Sequence, residues 1–590
     1  MAKLSALLAA CLLLQTTSAT LWPIPTQEFT QGNKTLWMSE KVSLEFGRGS
    51  DDAASCGSSK DGYGGNELNR FTNAATGSKK IRDAWARTQT ALFNNNIVPW
   101  KFHPKGSNYE PSWNSGTKIN RVVVTQTGED VDMPTYNQMK EAYNLTIPDG
   151  CDTVYITAES SLGVLHAFHT LEQLFYATAR RSRNVWGKGP VKISDSPKFK
   201  HRGLNLDVSR QWYPKEAILR TIDALAFNKM NRLHLHATDS QSWPLEIPSM
   251  PELAKKGSYA PGLTYTPQDL QEILDFAEAR GIQVIVEIDM PGHTTSIAEA
   301  FPELIVGKNK QPNWDTYAAQ PPSGSLKLNN KAVEDFTSKL FDDLLPRLNK
   351  HTQYYHTGGD EVNKNVYALD PGVGSNEVAK IRPGLQKFID HLHSDVKKHK
   401  MTPFVWEEML LDWGLNLTKE AIVQTWQTDA AAKNATGMGH QIIGGNYNYW
   451  YLDCGHGQWL DFGGPNGAQK FYPYNDYCSP RKNWRLIYSY SPDQFLTKEE
   501  AKLVLGGEVH IWSEQIDAES LDVTLWPRGS AAAEVLWSGR QDASGKNRTF
   551  ADASPRLGEF RERLVARGVQ AQPVMQLWCH QNLGDCQLDA

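Results

Sequence analysis

The stretch that decides the fold is residues 266–289, which read TPQDLQEILDFAEARGIQVIVEID. Thr266 can cap a helix that has Pro267 at its first position, and Gly281 can end that helix. Apolar residues between these signals recur at helical spacing, and the run from Ile282 to Ile288 is short and apolar. The stretch therefore predicts one amphipathic helix followed by one buried strand, the repeating unit of a parallel sheet.

The same alternation continues on both sides of this stretch, from Arg202 towards the C-terminus. Helical patterns such as Lys215 to Met230 and Val333 to Leu348 separate short apolar runs. Eight such units over about 340 residues predict an α/β fold, a (β/α)8 TIM barrel with insertions that spans 196–590 and closes with a helix and a short loop. The predicted strands are Gly203 to Val208, Arg232 to Ala237, Ile282 to Ile288, Gln353 to Thr357, Thr402 to Trp406, Ala421 to Trp426, Gln441 to Asn446 and Leu503 to Ile511.

A smaller α/β domain is predicted before the barrel, over residues 101–195. Arg121 to Thr125 and Asp152 to Thr157 alternate like strands, and Leu162 to Ala177 has helical spacing. The turn-forming cluster from Ser194 to Pro197 marks the join between the two domains.

The N-terminus has the zones of a secretory signal peptide. Lys3 is followed by the apolar stretch Leu4 to Leu14 and by small residues up to Ala19, which predicts a signal over 1–19 and an extracellular protein. Residues 20–100 are a candidate propeptide or the start of the N-terminal region, because Gly47 to Ser78 is a Gly/Ser/Asn-rich loop that ends at two lysines. No later segment approaches the roughly 18 uninterrupted apolar residues of a membrane helix, so no membrane partner is expected.

Composition excludes several classes of function. The 590 residues are 22% charged, 40% hydrophobic and 10% aromatic, which is too apolar for a disordered chain. The formal charge is -5 and no basic run is present, so nucleic acid is not an expected partner. No Gly-rich nucleotide loop, His-Glu-x-x-His or Cys-x-x-Cys motif occurs, so neither a cofactor nor a catalytic metal is expected. We expect His234 and His236 to point in opposite directions and to make a poor metal pair.

Cysteine usage and glycosylation motifs agree with secretion. Six cysteines follow the signal, an even number that favours disulfides in an oxidising compartment. Sequence proximity pairs Cys454 with Cys478 and Cys579 with Cys586, which leaves Cys56 with Cys151, although six cysteines allow about 15 connectivities. Acceptor triplets for N-glycosylation occur at Asn33, Asn144, Asn416, Asn434 and Asn547.

Acids and aromatic residues follow nearly every predicted barrel strand. Active sites of such barrels lie at the carboxyl ends of the strands, so these side chains should converge on one mouth. Carboxylates supply acid, base and hydroxyl-binding groups, and flat indole rings pack against sugar rings, so a carbohydrate pocket is predicted. The residues are Asp239, Asp289, His293, Asp360, Glu361, Trp406, Glu407, Glu408, Trp426, Tyr451, Asp453, Trp512 and Glu514.

The sharpest feature is His356 to Glu361, which reads HTGGDE. Its two glycines let the backbone leave the strand tightly and bring both adjacent acids into the pocket. Glycosidases with two catalytic carboxyls hold them about 5 to 9.5 Å apart, on either side of the scissile bond. Neighbouring residues can hardly straddle a sugar, so one acid should assist the leaving group and the other should steer something else.

At this point the chain resembles glycoside hydrolase family 20, the β-N-acetylhexosaminidases, and among them the secreted fungal members. The resemblance covers nearly everything after the signal, including an N-terminal domain that in this family is non-catalytic and has a zincin-like, metalloprotease-related fold. Its motifs are Arg202–Arg210 (RGLNLDVSR), Lys229–Asp239 (KMNRLHLHATD), Asp289–His293 (DMPGH), His356–Glu361 (HTGGDE), Trp450–Asp453 (WYLD) and Gly506–Glu514 (GGEVHIWSE).

The resemblance implies an exo-acting hydrolase in which the acetamido oxygen of the substrate attacks the anomeric carbon, with retention of configuration. It makes Glu361 the general acid and base, and it places Asp360 and Tyr451 on the acetamido group. It assigns Trp406, Trp426 and Trp512 to the pocket walls and Arg202, Asp453 and Glu514 to the sugar hydroxyls. Asp239 and His293 should support Glu361.

The resemblance also implies a homodimer and a retained propeptide, and it makes chitooligosaccharides and other N-acetylhexosaminides the substrate class. Terminal N-acetylglucosamine and N-acetylgalactosamine both stay open as the sugar removed. Two other functions remain: a sugar-binding relative without catalysis, and an endo-acting chitinase. The first would not need Asp360, Glu361 or Tyr451, and the second typically spaces its acids at alternate residues of one strand.

Overall fold

The computed structural model describes residues 20–47, 56, 74–461 and 472–588. The predicted signal peptide, over residues 1–19, and most of the loop predicted from Gly47 to Ser78 lie outside the described residues. A helix begins at Ala74, so the predicted loop extends too far towards the C-terminus.

The N-terminal domain is a six-stranded sheet with two helices. Its strand order is β1-β2-β4-β3-β6-β5, and β1 also pairs with β6. The candidate propeptide range thus contributes β1 and α1 to this domain, and its cleavage stays a prediction. The elements are β1 (Glu28–Phe46), α1 (Ala74–Phe93), β2 (Thr117–Gln126), β3 (Tyr143–Ile147), β4 (Thr153–Ala158), α2 (Ser161–Gln173), β5 (Phe175–Ala177) and β6 (Asn184–Asp195).

One helix prediction in this domain is wrong at its end. The predicted helix continues to Ala177, whereas α2 stops at Gln173 and Phe175–Ala177 form β5. These three residues pair antiparallel with Val185, Trp186 and Gly187 of β6. Sheet pairing with the next strand along the chain therefore overrides the local helical pattern.

The second domain is a closed barrel of eight parallel strands in the order β12-β13-β14-β15-β16-β7-β8-β9. All eight predicted strands are confirmed, with no end displaced by more than two residues. A two-stranded ribbon, β10 with β11, lies in the insertion between β9 and β12. The strands are β7 (His201–Asp207), β8 (Arg232–Thr238), β9 (Gln283–Ile288), β10 (Ile305–Val306), β11 (Ser325–Leu326), β12 (Tyr354–His356), β13 (Thr402–Trp406), β14 (Ile422–Thr425), β15 (Ile442–Gly444) and β16 (Val504–Ile511).

Helices surround the barrel, and α5 shows why they begin where they do. The Thr266 side chain accepts from the backbone N–H of Asp269, whose carboxylate accepts from the N–H of Thr266, a capping box worth about 0.5 to 2 kcal/mol. The helices are α3 (Lys215–Phe227), α4 (Glu252–Gly257), α5 (Pro267–Glu278), α6 (Lys331–Leu348), α7 (Val378–Lys398), α8 (Glu407–Leu411), α9 (Asp429–Gly437), α10 (Tyr447–Trp450), α11 (Trp484–Ser489), α12 (Lys498–Ala501), α13 (Leu521–Leu525), α14 (Arg528–Ser538), α15 (Phe550–Ala566) and α16 (Leu577–Gln581). Among the described residues, none of these helices has the length and apolar character to cross a membrane.

The start of the described chain is fixed to one helix of the barrel, α14. Trp22 is fully buried, and its indole N–H donates to the carbonyl oxygen of Ser530 at 2.9 Å. The backbone N–H of Ile24 donates to the Glu534 carboxylate at 2.9 Å. Both partners lie on α14, so the segment before β1 packs against this barrel helix.

Three disulfides join the cysteines in the pairs that sequence proximity suggests: Cys56 with Cys151, Cys454 with Cys478, and Cys579 with Cys586. The second bridge closes a loop directly after β15 and packs among aromatic side chains at the carboxyl end of the barrel.

Candidate active site

The predicted acids and aromatic residues gather at the carboxyl end of the barrel. Asp239 follows β8, His293 follows β9, and Asp360 and Glu361 follow β12. Tyr451, after β15, forms a bridge with His510 of β16, which fixes the loop before the Cys454–Cys478 bridge. Each group thus stands one to seven residues beyond the end of its strand.

The turn after β12 depends on glycine. Gly358 has a φ of 73°, and a Cβ at this position would lie 1.8 Å from an oxygen of Asp289. The backbone N–H of Gly359 donates to the same oxygen at 2.7 Å. Glu361 itself has a φ of 50°, in the left-handed region that costs a non-glycine residue on the order of 1 to 3 kcal/mol. The backbone strain therefore occurs at the turn that directs two consecutive acids into the pocket.

Glu361 is supported by a chain of two buried groups. Nε2 of His293 lies 3.3 Å from Oε2 of Glu361, and Nδ1 of His293 lies 3.0 Å from Oδ1 of Asp239. The same Nε2 lies 4.0 Å from Oδ2 of Asp360. The Glu361 side chain is 33% exposed and that of Asp239 is fully buried, so the chain runs from the pocket into the protein.

Burial and charge set the protonation of these groups. Burial alone would lower the pKa of His293, but Asp239 and Asp360 outweigh it and hold that pKa well above its usual value. Burial alone would raise the pKa of Asp239, yet Arg210 and His293 hold it below its usual range. Burial raises the pKa of Asp360, against the opposing effect of His293. Oδ1 of Asp360 is buried and has no hydrogen-bond partner among the described residues.

Aromatic side chains form one cluster beside these acids. The rings of Trp426 and Tyr451 stack at 5.8 Å with an interplanar angle of 14°, and Trp512 lies 6.3 Å from Tyr451. Trp406 lies 6.2 Å from Trp512 and donates its indole N–H to Glu287 at 2.6 Å. Burial raises the pKa of Tyr451 well above its usual value, so its hydroxyl stays protonated and can donate.

The two remaining acids lie at the same mouth. Burial together with Glu514 raises the pKa of Asp453, whose carboxylate accepts from the backbone N–H of Trp512 at 3.4 Å. Gln320, from the insertion after β9, donates to Glu514 at 2.6 Å. The structure thus brings together every predicted site residue except one.

The exception is Arg202, and the prediction that it binds sugar hydroxyls is wrong. Arg202 stands near the start of β7, so it lies at the amino end of the barrel, away from the pocket. It is fully buried and forms a bidentate pair with Glu141 of the N-terminal domain, at 3.1 and 2.5 Å. Its remaining donors bind the carbonyl oxygens of Phe199 and Lys229, which leaves nothing to offer a ligand.

The arginine that reaches the pocket is Arg210, which sequence reasoning missed. It follows the carboxyl end of β7 by three residues, the same rule that locates the acids. Its guanidinium lies 2.8 Å from Asp239, 3.2 Å from Asp207 and 5.1 Å above the Trp512 ring. Its Nε is buried without a hydrogen-bond partner among the described residues.

Glu407 and Glu408 support the walls of the pocket. Glu407 accepts from the backbone N–H of Trp426 at 2.9 Å, and burial raises its pKa to about 8. Glu408 accepts from the Trp426 indole N–H at 2.9 Å. These acids therefore hold one aromatic wall rather than reacting.

The clustered histidines and acids also bear on metal binding. Nitrogen and carboxylate atoms of His234, Glu287 and His356 lie within 4.8 Å of one another, as do those of Asp289, His293 and Asp360. His234 and His236 both contact Glu287, at 3.1 and 2.5 Å, so the expectation that they point in opposite directions is wrong. Residues two apart in a strand share a face. Within these sets His234 and His356 both contact Glu287, and His293 contacts Asp360.

A closed (β/α)8 barrel with acids, an imidazole and indoles at its carboxyl end defines a barrel enzyme with a sugar-type pocket. Residues 199–540 match glycosyl hydrolase family 20, catalytic domain, and residues 21–174 match a domain described as beta-acetyl hexosaminidase like. The chain belongs to glycosyl hydrolase family 20.

Individual proteins agree with the family match. A beta-hexosaminidase of Arthroderma benhamiae is 40% identical, with 96% of this chain and 97% of the relative covered. A chitooligosaccharidolytic beta-N-acetylglucosaminidase of Ostrinia furnacalis is 32% identical, with 78% and 79% covered. The X-ray structure of a Flavobacterium johnsoniae chitobiase superposes with a TM-score of 0.69 at 25% identity, covering 93% of this chain and 73% of that one.

Proposed function

We propose that the protein is an exo-acting β-N-acetylhexosaminidase that removes terminal N-acetylhexosamine from chitooligosaccharides and glycans. The names of its relatives support this reaction and substrate class. The observation that carries the mechanism is that Asp360 and Glu361 face the same nitrogen of His293, at 4.0 and 3.3 Å. Two acids on one side of a sugar cannot act as acid and nucleophile across the bond, so the nucleophile comes from the substrate.

The reaction follows from these positions. Glu361 gives its proton to the glycosidic oxygen, the bond from C1 to that oxygen breaks, and the acetamido carbonyl oxygen bonds to C1. Asp360 accepts the acetamido N–H, and the Tyr451 hydroxyl donates to the acetamido oxygen. The resulting oxazolinium opens when water attacks C1 and gives its proton to Glu361, so the configuration at C1 is retained.

Electrostatics support these roles. The raised pKa of Asp360 makes its carboxylate a more basic and therefore stronger acceptor for an N–H that becomes acidic as the oxazolinium forms. The indoles and Tyr451 confine the acetamido group, and holding a nucleophile in attack geometry can supply about 7 to 11 kcal/mol. Arg210, Glu514 and Asp453 would then hold the hydroxyls at the non-reducing end, which favours exo action.

The test compares substrates that differ only at C2. Aryl glucoside turnover should fall by several orders of magnitude relative to aryl N-acetylglucosaminide, because the nucleophile is gone. A thiazoline mimic of the intermediate should inhibit strongly, since tight binding follows resemblance to the transition state. Equal turnover of the two substrates, or a sugar ester trapped on Asp360 or Glu361, contradicts the mechanism. Sugar binding without turnover points to an inactive sugar-binding relative, and internal cleavage of long chitin oligomers points to an endo-acting chitinase.

The protein is further proposed to be secreted, glycosylated and dimeric, with its propeptide retained. All five acceptor asparagines, Asn33, Asn144, Asn416, Asn434 and Asn547, are exposed, which would let a glycosyltransferase reach them. Intact mass with and without deglycosylation, N-terminal sequencing and light scattering test these four properties. A protein that stays inside the cells, carries no glycan, is monomeric and starts at Met1 contradicts all four.

A further inference from the structure

The interior of the barrel below the pocket is polar. Interiors of such barrels are ordinarily filled by branched apolar residues. Here six polar side chains, none more than 1% exposed, fill the middle of the barrel: His234, His236, Glu287, His356, Gln424 and Glu508. Burying an ionisable group costs free energy unless the group is paired and hydrogen-bonded. The partners of each group therefore show how this layer is held.

Glu287, on β9, lies at the centre of this layer, and its two oxygens face different parts of the site. Oε1 accepts the Trp406 indole N–H at 2.6 Å and lies 3.1 Å from Nδ1 of His356. Oε2 lies 2.5 Å from Nδ1 of His236 and 3.1 Å from Nε2 of His234. One carboxylate therefore touches both an aromatic wall and an imidazole that leads to the catalytic acid.

The imidazole branch continues without a break to the reacting group. Nε2 of His236 lies 2.8 Å from Oδ2 of Asp239, and Asp239 holds His293, which lies 3.3 Å from Glu361. Burial alone would lower the pKa of His236, but Glu287 and Asp239 raise it to about 10, so the ring is a cation between two carboxylates.

We propose that Glu287 is a positioning residue that ties the Trp406 wall and the Glu361 acid into one rigid unit. The inference rests on the proposed function, because it assumes that the wall holds the acetamido group while Glu361 protonates the leaving oxygen. If the two parts are held by one carboxylate, their separation stays fixed in the transition state, where both must act on the same sugar.

The test is Glu287→Gln, which keeps the shape of the side chain and replaces one acceptor oxygen by an NH2 donor. The Trp406 N–H cannot accept, so the Gln oxygen must face either Trp406 or the imidazoles. Both links then lose their charged partner, and one of them also loses its acceptor oxygen. We expect kcat to fall about 10- to 100-fold, the range for small misplacements of reacting groups. KM should stay within about threefold, because the hydroxyl contacts are untouched. The inhibition constant of the thiazoline should rise with the loss in kcat, while that of the product sugar should not change.

Glu508→Gln is the matched control. Glu508 is an equally buried carboxylate of the same layer and contacts His201 at 2.7 Å, His234 at 3.0 Å and Gln424 at 2.9 Å, but neither Trp406 nor His236. This variant should lose thermal stability yet keep the kcat and both inhibition constants of the parent protein per folded molecule. A purely structural role of Glu287 would give the same result in both variants, because fewer folded molecules lower the rate without changing any inhibition constant.

Two single-branch variants cover the case in which Glu287→Gln does not fold. Trp406→Phe removes the indole N–H together with part of the wall, and His236→Gln breaks the branch to Glu361. Each should lower kcat and weaken thiazoline binding with product binding unchanged. Variants with parental kinetics, or with equal weakening of both inhibitors, overturn the proposal. If the parent protein itself does not discriminate between acetamido and hydroxyl substrates, the proposed function fails instead.

Discussion

The two ends of the barrel use the same chemical groups in opposite ways. At the amino end, Arg202 pairs with Glu141, and His201 bridges Glu508 and the Tyr136 hydroxyl, at 2.7 Å each. At the carboxyl end, Arg210 and His293 pair with Asp239. The two ends differ in how many side-chain polar atoms have a hydrogen-bond partner.

Every guanidinium nitrogen of Arg202 donates to a protein acceptor, and one of these acceptors is Glu141 of the N-terminal domain. In contrast, Arg210 keeps a buried Nε and Asp360 a buried Oδ1 without partners among the described residues. An unpaired buried polar atom costs about 1 to 3 kcal/mol, and a ligand that pairs with it regains that energy. The comparison teaches that residue type alone does not mark the site; the end of the barrel at which a side chain lies, read together with its hydrogen bonding, does.

The largest expected effect is a loss of turnover on changing the catalytic acid at the carboxyl end. Glu361→Gln should lose about 100- to 10,000-fold in turnover of natural disaccharides, because general-acid assistance is worth that much. Aryl sugars with good leaving groups should lose less, and binding of the product sugar should persist. Steady-state kinetics on both substrates and calorimetric titration with the product check this. Natural disaccharides hydrolysed at the parental rate would refute the assignment of Glu361.

The second prediction sets the two arginines against each other. Arg210→Met should raise KM about 10- to 100-fold, because charged hydrogen bonds contribute roughly 1.5 to 3 kcal/mol each. Arg202→Met should leave KM and kcat per folded molecule unchanged while lowering the free energy of unfolding by about 3 to 5 kcal/mol, since Glu141 is left buried without its arginine partner.

Kinetics and urea denaturation of both variants check the contrast. Arg202→Met combined with Glu141→Gln serves as the control, because it removes both charges and should recover part of the stability. A rise in KM on losing Arg202, with Arg210→Met kinetically silent, would reverse the assignment of the two ends.

The smallest expected effect is the pH dependence of stability, which separates histidines by their partners. Carboxylates raise the pKa of His234 to about 9 and of His236 to about 10, so both bind protons more tightly in the folded state. Their stabilisation is complete below the unfolded pKa near 6.5 and is lost as pH rises through about 9 to 10. Burial lowers the pKa of His201 to about 4, so its stabilisation is present above about 6.5 and is lost as pH falls through 4.

Melting temperatures measured from pH 4 to 10 should therefore fall at both extremes. Glu287→Gln should flatten the alkaline fall, because His236 and His234 lose the carboxylate that raises their pKa values. A melting temperature that climbs steadily between pH 7 and 10 would contradict the charge assignment.

The sequence predicts the barrel well because each strand and helix carries a local signal. Thr266, Pro267 and Gly281 mark helix ends in the chain itself, and the apolar runs have the right length. What the sequence does not predict depends on partners outside the segment itself: Phe175–Ala177 become a strand only because β6 is present to pair with them.

The same limit applies to the site. The acids follow the ends of their strands and could be placed by that rule, which also applies to Arg210. The assignment of Arg202 to the sugar rests on resemblance alone, and its position at the start of β7 opposes that assignment. The polar interior was missed for a different reason: the pairing of His236 with Glu287 depends on the register between β8 and β9, which no local pattern shows.

The attachment of the first described residues to α14 has a consequence for biosynthesis. Trp22 and Ile24 find their partners 508 and 510 residues later in the chain. At translation rates of about 5 to 20 residues per second, those partners emerge roughly 25 to 100 s after Trp22. During that interval the backbone of Trp22 can already pair with Gln173, whereas the Trp22 indole N–H and the Ile24 N–H lack their native acceptors until about the last tenth of the polypeptide is made.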